Sequence, residues 1–438
     1  MSKISIIGLG KLGAPMLAAY ASRGHKVIGV DISEKVVKSV NESKPHIQET
    51  DYANFIKKYE KNISATSDIK YAILNSDITF IIAQTPSNPD GSFSNIHVLS
   101  ALEKIGKALG GKNKYHLVIV SSTIMPTSSI QEFIPCLEKS SGKKCGKNFG
   151  FCYNPEFIAL GSVIRDLLNP DFVLIGAFNK KSGDLLEKFY RTTIPNVKIE
   201  RMNPTNAEIT KIALNSYITM KISFANMLTQ LCERVPGGNV DSVTKALGHD
   251  TRVGSKYFKG GLGFGGPCFP RDNKAFGYAV GKTGVSAVLP QANDKFNDQH
   301  AFFLAEKVKK SAGTVGILGI SFKPETDVIE KSAGMLLAEL LTKAGKKVML
   351  YDPMALQNAQ RVFGNKVRYA KSADECMRHS QTVVITTPWK EFSNIPLKTL
   401  KIFLKKKQLV DCWRIFDQNT LNSFANYFSL GINKNGKN

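Results

Sequence analysis

The chain has 438 residues, of which 42% are hydrophobic, and this length and composition are typical of a globular protein with two or three domains. Its formal net charge is +23, but the lysines are spread along the chain without an RNA- or DNA-binding signature, so we expect a solvated basic surface with some phosphate-binding positions and no nucleic-acid partner. No apolar run approaches the roughly 20 residues that span a membrane, and the opening MSKISII leads into a strand, so we expect a cytoplasmic protein without a membrane partner. The seven cysteines form no CxxC or zinc-like spacing, which predicts reduced thiols and no metal.

Residues 3–31 have the pattern of a strand, a glycine turn, a helix and a second strand. The G-x-G-x-x-G triplet directly follows the first apolar strand, and an aspartate closes the second strand about 20 residues on, which together predict a dinucleotide site. A carboxylate there binds ribose hydroxyls and repels a 2′-phosphate, which favours NAD over NADP. The alternative is a glycine-rich turn in a flavodoxin-like sheet without a dinucleotide. The predicted cofactor-binding residues of this segment are Gly8, Gly10, Leu12, Gly13 and Asp31.

Two further strands, predicted over 78–83 and 117–120, each lead into hydroxyl-bearing residues. In an open parallel sheet the carboxyl ends of the strands face the ligand, so we expect Thr85 and Thr123 to lie beside the cofactor. A strand over 149–153 then delivers Asn-Pro-Glu-Phe. Its Glu156 is a candidate general base or water holder, and a surface carboxylate at a strand end is the alternative.

Residues 204–235 are predicted to form a long helix, which begins with Thr205 and Glu208 in the spacing of a capping box. Most of its faces are apolar, so we expect it to be buried between domains or subunits. One polar stripe recurs at three- and four-residue spacing and favours a polar ligand, the alternative being an internal Glu208–Lys211 pair. The stripe consists of Glu208, Lys211, Asn215 and Thr219.

The segment KGGLGFGGPCFPRD, residues 259–272, places Cys268 behind five glycines and between two prolines. Glycines let the backbone approach a bound molecule closely, and prolines stiffen the adjoining backbone, so the segment suits a thiol held against a ligand. Arg271 and Asp272 add charge beside it. A packed, unreactive cysteine is the alternative.

Residues 314–438 repeat the pattern of the beginning. Gly345 leading to Asp352 matches the earlier glycine and aspartate around the second strand, but the opening TVGILGIS has only Gly316 and Gly319, which allows a ligand other than a dinucleotide. We expect the tail GINKNGKN to be disordered. The predicted fold is α/β, with two Rossmann-like doubly wound parallel-sheet domains, residues 1–203 and 306–438, joined by a central helical domain, residues 204–305, that carries the cysteine loop.

The combination of the glycine fingerprint, NPEF, EITKIALNSYITMKISFAN, GFGGPCFPRD and LGISFKPETD resembles the UDP-glucose/GDP-mannose dehydrogenase family across essentially the whole chain. The resemblance implies that a nucleotide sugar's primary alcohol is oxidised to a carboxylate with two successive NAD molecules. UDP-glucose is the preferred substrate, with a UDP-N-acetylhexosamine or GDP-mannose as alternatives. The resemblance also implies a homodimer or a higher homo-oligomer.

The resemblance assigns a role to each matched residue. Cys268 matches a nucleophile that captures the aldehyde as a thiohemiacetal and then forms a thioester. Lys211 and Asn215 match the groups that steady the oxyanion, and Arg252 matches an arginine lent to a neighbouring subunit. The groups matched to water and proton handling are Glu156, Thr123 and Asp272. The residues matched to substrate binding are Glu156, Lys211, Asn215, Arg252, Tyr257, Gly261, Phe264, Gly265 and Lys323.

The chain departs from the family pattern at three positions. Leu160 stands where relatives commonly carry a glutamate, and Glu330 where they carry an arginine, both on the cofactor side. Arg414, in DCWR, lies near the position of another family arginine, and the sequence leaves open whether it replaces that residue.

Three other classes of protein share part of this pattern. Single-oxidation β-hydroxyacid or 6-phosphogluconate dehydrogenases need neither the cysteine nor a second Rossmann half. An NAD-sensing regulator has no use for Cys268 together with Lys211 and Asn215. Aldehyde dehydrogenases use a thiol but differ in chain order.

Overall fold

The computed structural model describes residues 1–433, which divide into two compact units, Met1–Ala213 and the chain from Leu214 onward. The boundary falls within one long helix. The predicted division into three domains at residues 203 and 305 stays a prediction.

The first unit is built on an eight-stranded sheet. Its strand order is β3-β2-β1-β4-β5-β6-β7-β8, parallel except for the antiparallel pair of β6 and β7. Apolar side chains fill a core on each face of the sheet. The strands are β1 Lys3–Ile7, β2 Lys26–Val30, β3 Ile63–Thr66, β4 Ile78–Ile81, β5 His116–Val120, β6 Phe149–Tyr153, β7 Val173–Ala177 and β8 Ile199–Met202.

Helices cover both faces of this sheet, as parallel strands buried on both sides require. They are α1 Gly13–Ser22, α2 Glu34–Asn41, α3 Tyr52–Lys58, α4 Ile69–Leu74, α5 Ile96–Gly110, α6 Ile134–Ser141, α7 Val163–Leu168 and α8 Lys180–Thr193, with a 3-10 turn at Glu60–Asn62 and a π-helical turn at Ser129–Phe133.

The long helix α9 spans Pro204–Arg234, close to its predicted range, and contains the boundary between the units. The predicted capping box is wrong. Asn203 caps the helix instead, because its side chain accepts from the Asn206 N–H at 2.8 Å and Pro204 takes the first helical position, where no N–H is needed. Glu208 accepts hydrogen bonds from the backbone N–H groups of Thr127 and Ser129, so it does not form the alternative pair with Lys211.

The second unit begins with the C-terminal part of α9 and three further helices, followed by a six-stranded parallel sheet of order β11-β10-β9-β12-β13-β14. Apolar cores again lie on both faces. The strands are β9 Val315–Leu318, β10 Val348–Tyr351, β11 Arg368–Tyr369, β12 Thr382–Ile385, β13 Gln408–Asp411 and β14 Asn426–Ser429.

The helices of the second unit lie before and between these strands. They are α10 Val240–His249, α11 Phe269–Lys282, α12 Val288–Lys309, α13 Ala333–Lys343, α14 Leu356–Phe363, α15 Ala373–Arg378, α16 Lys390–Ser393, α17 Leu397–Leu404 and α18 Gln418–Asn422, with a 3-10 turn at Gly364–Lys366.

The six strands β1 to β6 and the six strands of the second sheet have the same order, 3-2-1-4-5-6, which is that of the Rossmann fold. The predicted fold class and internal repeat are therefore confirmed. None of the helices within residues 1–433 combines the length and the hydropathy that crossing a membrane requires.

The predicted disorder is wrong for the first residues of the C-terminal tail. The Gly431 N–H donates to the Glu233 carboxylate at 2.9 Å, and the Asn433 N–H donates to the Gly238 carbonyl at 2.9 Å, so its first residues are fixed on the second unit. Residues 434–438 of the predicted tail lie outside the described residues.

Candidate active site

The glycine turn after β1 has the geometry of a phosphate-binding turn. Gly8 has a φ of +96°, and a side chain at Gly13 would collide with the Gly8 carbonyl, so both glycines are required by the protein itself. Gly10 is different, because a Cβ there would meet no protein atom within 4 Å. The open space over Gly10, at the N-terminus of α1, fits a pyrophosphate and explains a glycine that packing does not need.

Asp31 follows β2 and is half-buried. Its carboxylate accepts from the Leu9 N–H and the Ser33 N–H, each at 2.9 Å. These two bonds orient the side chain while using about half of the acceptor positions of a carboxylate. The remaining capacity fits two ribose hydroxyls. The sequence did not indicate His46, whose Nε2 lies 2.8 Å from the Leu9 carbonyl and braces the turn.

The structure ties together the two predicted threonines. Thr85 Oγ1 donates to the Thr123 carbonyl at 2.7 Å, and the neighbouring Ser122 Oγ donates to the Ala83 carbonyl at 2.6 Å. The carboxyl ends of β4 and β5 are thus joined, at the edge of the sheet where a ligand of this fold binds.

Glu156 lies just after β6, beside a cation and a phenol. Lys211 Nζ donates to the Glu156 backbone carbonyl at 2.7 Å and lies 4.8 Å from the centre of the Phe157 ring. Tyr190 Oη donates to a Glu156 carboxylate oxygen at 3.4 Å. Burial raises the pKa of Glu156 to about 7, against the opposing effects of Lys211 and Tyr190. A carboxyl group that titrates near neutral pH is suited to proton transfer.

The phenols behind Glu156 were not indicated by the sequence. Tyr190 Oη lies 2.6 Å from Asn154 Oδ1 and 3.3 Å from Tyr20 Oη, and the Asn154 amide donates to the Leu174 carbonyl at 2.8 Å. Burial raises the pKa of both tyrosines, so they stay protonated. They come from α1 and α8, and no local pattern marks them as neighbours of the NPEF segment.

The departure at Leu160 has a structural explanation. Its side chain packs against the apolar core of the first unit. The adjoining backbone is held by Glu49, whose carboxylate accepts from the Gly161 and Val163 N–H groups at 2.8 and 3.0 Å. Glu156 therefore has no second carboxylate from position 160 beside it.

In the second unit, Cys268 is the N-cap residue of α11 and is exposed. Its carbonyl accepts from the Asp272 N–H at 2.8 Å. The Asp272 carboxylate is buried and accepts from the Asn215 amide at 2.6 Å, so the unit brings these three predicted residues to one place.

The glycines before Cys268 are needed for packing within the second unit, and their predicted contact with a ligand stays a prediction. A Cβ at each would lie within 3 Å of another part of the second unit, so the side-chain direction of every glycine is occupied by protein. The groups met are Thr229 by Gly260, the Trp413 ring by Gly261, Asn297 by Gly263, the Lys331 carbonyl by Gly265 and the Phe322 ring by Gly266.

Three polar side chains that the sequence did not indicate hold this loop. Asn226 binds both the Gly261 N–H and the Leu262 carbonyl at 2.9 Å, and Asn297 binds the backbone of Phe264 on both sides. His300 Nε2 lies 2.7 Å from the Gly261 carbonyl, and burial lowers the pKa of His300, which keeps it neutral.

Arg414 and Glu330 take structural positions. Arg414 is 4% exposed, pairs with Asp241 at 2.7 Å and donates to the Gly260 and Leu430 carbonyls, so its guanidinium faces protein. Glu330 has an exposed side chain, and its carbonyl accepts from the Gly266 N–H at 2.9 Å.

The other predicted substrate residues lie around this loop or at the surface. Tyr257 has a φ of +59° and packs edge-on against Phe269, beside Cys268. Lys323 follows Phe322, which faces Gly266. The Arg252 side chain is 87% exposed and pairs with Asp250 at 2.6 Å.

A cavity of about 700 Å³ lies beside the loop, among α11, α12 and α13. Its walls include Phe264, Asp294 and Lys331, but neither Cys268 nor Asp272. We therefore define the site by the polar contacts of the loop and not by this cavity.

Comparisons with known proteins agree with these features. Three models of the UDP-glucose/GDP-mannose dehydrogenase family match the chain: the NAD binding domain at residues 2–194, the central domain at 205–299 and the UDP binding domain at 316–418. The chain is 34% identical to a UDP-glucose 6-dehydrogenase of Haloferax volcanii over 89% of this chain and 92% of that protein. It is 33% identical to a GDP-mannose 6-dehydrogenase of Pseudomonas aeruginosa over 84% and 85%.

A solved UDP-glucose dehydrogenase from Pyrobaculum islandicum matches with a TM-score of 0.90 and 30% identity, over 99% of this chain and 98% of that structure. The chain belongs to the UDP-glucose/GDP-mannose dehydrogenase family. It is an NAD-dependent nucleotide-sugar dehydrogenase, which confirms the predicted enzyme class and cofactor.

Proposed function

We propose that the substrate is UDP-glucose, oxidised at its primary alcohol to UDP-glucuronate, with Cys268 as the nucleophile. The observation that carries this mechanism is the exposed Cys268 at the N-terminus of α11, one turn from the buried Asn215–Asp272 pair. The choice of sugar is supported by the UDP-glucose dehydrogenases among the relatives.

NAD supplies, when bound, the hydride acceptor for both oxidations, so one sugar reduces two NAD molecules. Residues of the chain carry out the covalent and proton-transfer steps. The Cys268 thiolate adds to the aldehyde carbon and moves the C=O electron pair onto oxygen, giving a thiohemiacetal oxyanion that donates hydride more readily than the aldehyde. Lys211 and Asn215 are proposed to stabilise that oxyanion. Glu156 takes one proton from the water that hydrolyses the resulting thioester, and the second proton leaves on sulfur, which releases the carboxylate and the Cys268 thiol.

The test combines product analysis with one substitution. Purified enzyme with NAD is offered UDP-glucose, a UDP-N-acetylhexosamine and GDP-mannose in turn, and acid and NADH are quantified. We expect UDP-glucuronate with two NADH per acid, and a loss of several orders of magnitude in Cys268→Ser with NAD binding retained. Unchanged turnover in Cys268→Ala would overturn the nucleophile, and a preference for another sugar would overturn the substrate.

GDP-mannose is the second candidate, because the Pseudomonas aeruginosa relative is nearly as similar as the first. The same panel decides between them.

We also propose a homodimer or higher homo-oligomer formed through α9. The helix buries many of its polar residues and exposes Tyr217, Phe224 and Leu231 to 55%, 48% and 55%, at seven-residue spacing. Such spacing places them along one seam, which a second copy of the helix would cover. The mainly buried polar residues of α9 reverse the usual pattern of a surface helix.

In this assembly Arg252 is proposed to bind the substrate in the neighbouring subunit. Its ion pair with Asp250 would break when it does so. Mixing inactive Arg252→Ala with inactive Cys268→Ala under subunit exchange should restore partial activity. A monomer in sedimentation together with a dead mixture would contradict both the assembly and the shared site. The proposed setting is the cytoplasm, which is supported by seven cysteines outside any disulfide.

A further inference from the structure

Asn273, directly after Asp272, is a fully buried amide at the centre of a polar cluster in the second unit. Its Nδ2 donates to the Pro290 carbonyl at 2.9 Å and to Asp294 Oδ1 at 2.8 Å. Its Oδ1 accepts from Ser216 Oγ at 2.7 Å and lies 3.4 Å from Asn293 Nδ2. An asparagine amide has two donors and an acceptor with two lone pairs, so all four positions are used.

These partners lie on two helices other than the one that carries Asn273. Ser216 belongs to α9, next to Asn215, while Pro290 and Asp294 belong to α12. Asn273 itself is the fifth residue of α11 and directly follows its first turn, which ends at Asp272. One side chain therefore fixes the turn that carries Cys268 against both neighbouring helices.

The Asn215–Asp272 bond alone does not fix this turn. It is one contact, and a rotation of α11 about it would swing Cys268 away from the same place. The Ser216–Asn273 bond is a second contact, one residue further along both helices. Two adjacent bonds between a pair of helices define an orientation, which a single bond does not.

We propose that Asn273 is a positioning residue that sets the orientation of the Cys268–Asp272 turn for catalysis. The inference rests on the proposed role of Cys268. Its geometry is confined to the second unit and uses no ligand.

The main variant is Asn273→Ala, with Asn95→Ala as the matched control, because Asn95 is a buried amide of the first unit that bonds to Ser128 and Glu132. We expect kcat per folded molecule to fall about 100-fold in Asn273→Ala, the size of effect that a misplacement of about 1 Å produces. KM for the nucleotide sugar should change little, and Asn95→Ala should lose stability without losing kcat. A kcat within threefold of the parent in folded Asn273→Ala would overturn the proposal.

Two gentler variants keep the test decisive if Asn273→Ala does not fold. Ser216→Ala removes one partner with almost no change in volume and should lower kcat about tenfold. Asn273→Asp places a carboxylate against Asp294 and should be impaired, and adding Asp294→Asn should recover most of the activity, because the new amide donates to the new carboxylate. Absence of both effects would overturn the proposal.

A chemical readout separates this proposal from the proposed function. The rate of Cys268 alkylation by iodoacetamide, taken as the difference from Cys268→Ala, needs no substrate. We expect it to change at least tenfold in Asn273→Ala and not in Asn95→Ala. If Cys268→Ala keeps its turnover, the nucleophilic mechanism fails, whereas an unaltered alkylation rate in Asn273→Ala contradicts the positioning role itself.

Discussion

The two Rossmann halves of this chain share a turn and differ in what faces it. Gly8 and Gly319 both have a φ of +96° after the first strand of their sheets. Asp31 and Asp352 both close the second strand. Asp31 is half-buried and bonded to two backbone N–H groups, whereas Asp352 is 1% exposed. The donors to Asp352 are the N–H groups of Ile320, Ser321, Met354 and Ala355, Ser321 Oγ and Trp389 Nε1.

The difference between Asp31 and Asp352 shows that the same turn can either bind a ligand or stabilise the fold. In the first half the carboxylate and the space over Gly10 stay open, which fits a dinucleotide. In the second half the protein itself satisfies the aspartate, so this turn has no place for a ribose.

The largest expected effect comes from the closed aspartate. Asp352→Ala leaves several buried donors without an acceptor and should destabilise the second unit by about 3–5 kcal/mol. Asp31→Ala should cost about 1 kcal/mol, because fewer and more exposed donors are released. Urea unfolding of both variants measures this, and equal losses would break the comparison.

Substitutions of the turn glycines should also separate packing from ligand binding, with a smaller effect on the free energy of unfolding. Gly13→Ala and Gly334→Ala each push a methyl into the carbonyl of the first glycine of the turn and should cost roughly 3 kcal/mol. Gly10→Ala should leave the unfolding free energy within about 0.5 kcal/mol and raise the Kd of NAD. A Gly10→Ala variant with unaltered NAD affinity would show that the open space is not the cofactor site.

The preference for NAD or NADP tests the difference between Asp31 and Asp352. The parent enzyme should prefer NAD, because a 2′-phosphate would face the Asp31 carboxylate, and Asp31→Ser should bring kcat/KM for NADP at least tenfold closer to that for NAD. Asp352→Asn serves as the control and should leave the ratio unchanged. A parent enzyme that prefers NADP would contradict the assignment.

The smallest effect concerns the half-buried Glu156 carboxyl of the first unit. Because the pKa of Glu156 is raised to about 7, its base form appears as the pH rises through 7, and kcat/KM should rise over that range. Glu156→Gln should abolish this limb.

The same shift has the opposite sign for stability. A raised carboxyl pKa favours the folded state below its ordinary pKa and loses that contribution as the pH rises through 7. Unfolding at pH 5 and pH 8 should therefore show Glu156→Gln gaining on the parent at the higher pH. A constant difference would contradict the raised pKa.

Local patterns were enough to predict the parts of the fold that depend on neighbouring residues. The strands, the glycine turn at Gly8 and the long helix follow from periodicity and turn chemistry. Contacts between distant residues were beyond such patterns. Gly334 replaces the third glycine of the second turn, but it follows Gly319 by 15 positions where Gly13 follows Gly8 by five. Spacing rules do not find a glycine displaced in this way.

The candidate site shows the same limit. Cys268, Asp272 and Asn215 were found from their motifs, and two of them bond directly. Asn273, Asn226 and His300 were missed, because each is defined by partners at least 17 residues away. Leu160 and Arg414 were recognised as departures, but only packing shows that one fills the core and the other holds the loop.

The glycine loop before Cys268 has no regular secondary structure, yet five residues from four segments of the second unit lie against its glycines. A segment enclosed in this way cannot open without disturbing all of its neighbours. Its amide hydrogens should exchange with solvent as slowly as those of the adjoining helices, and proteases should cut elsewhere first. The loop is therefore a fixed support beside the exposed Cys268 and not a lid over it.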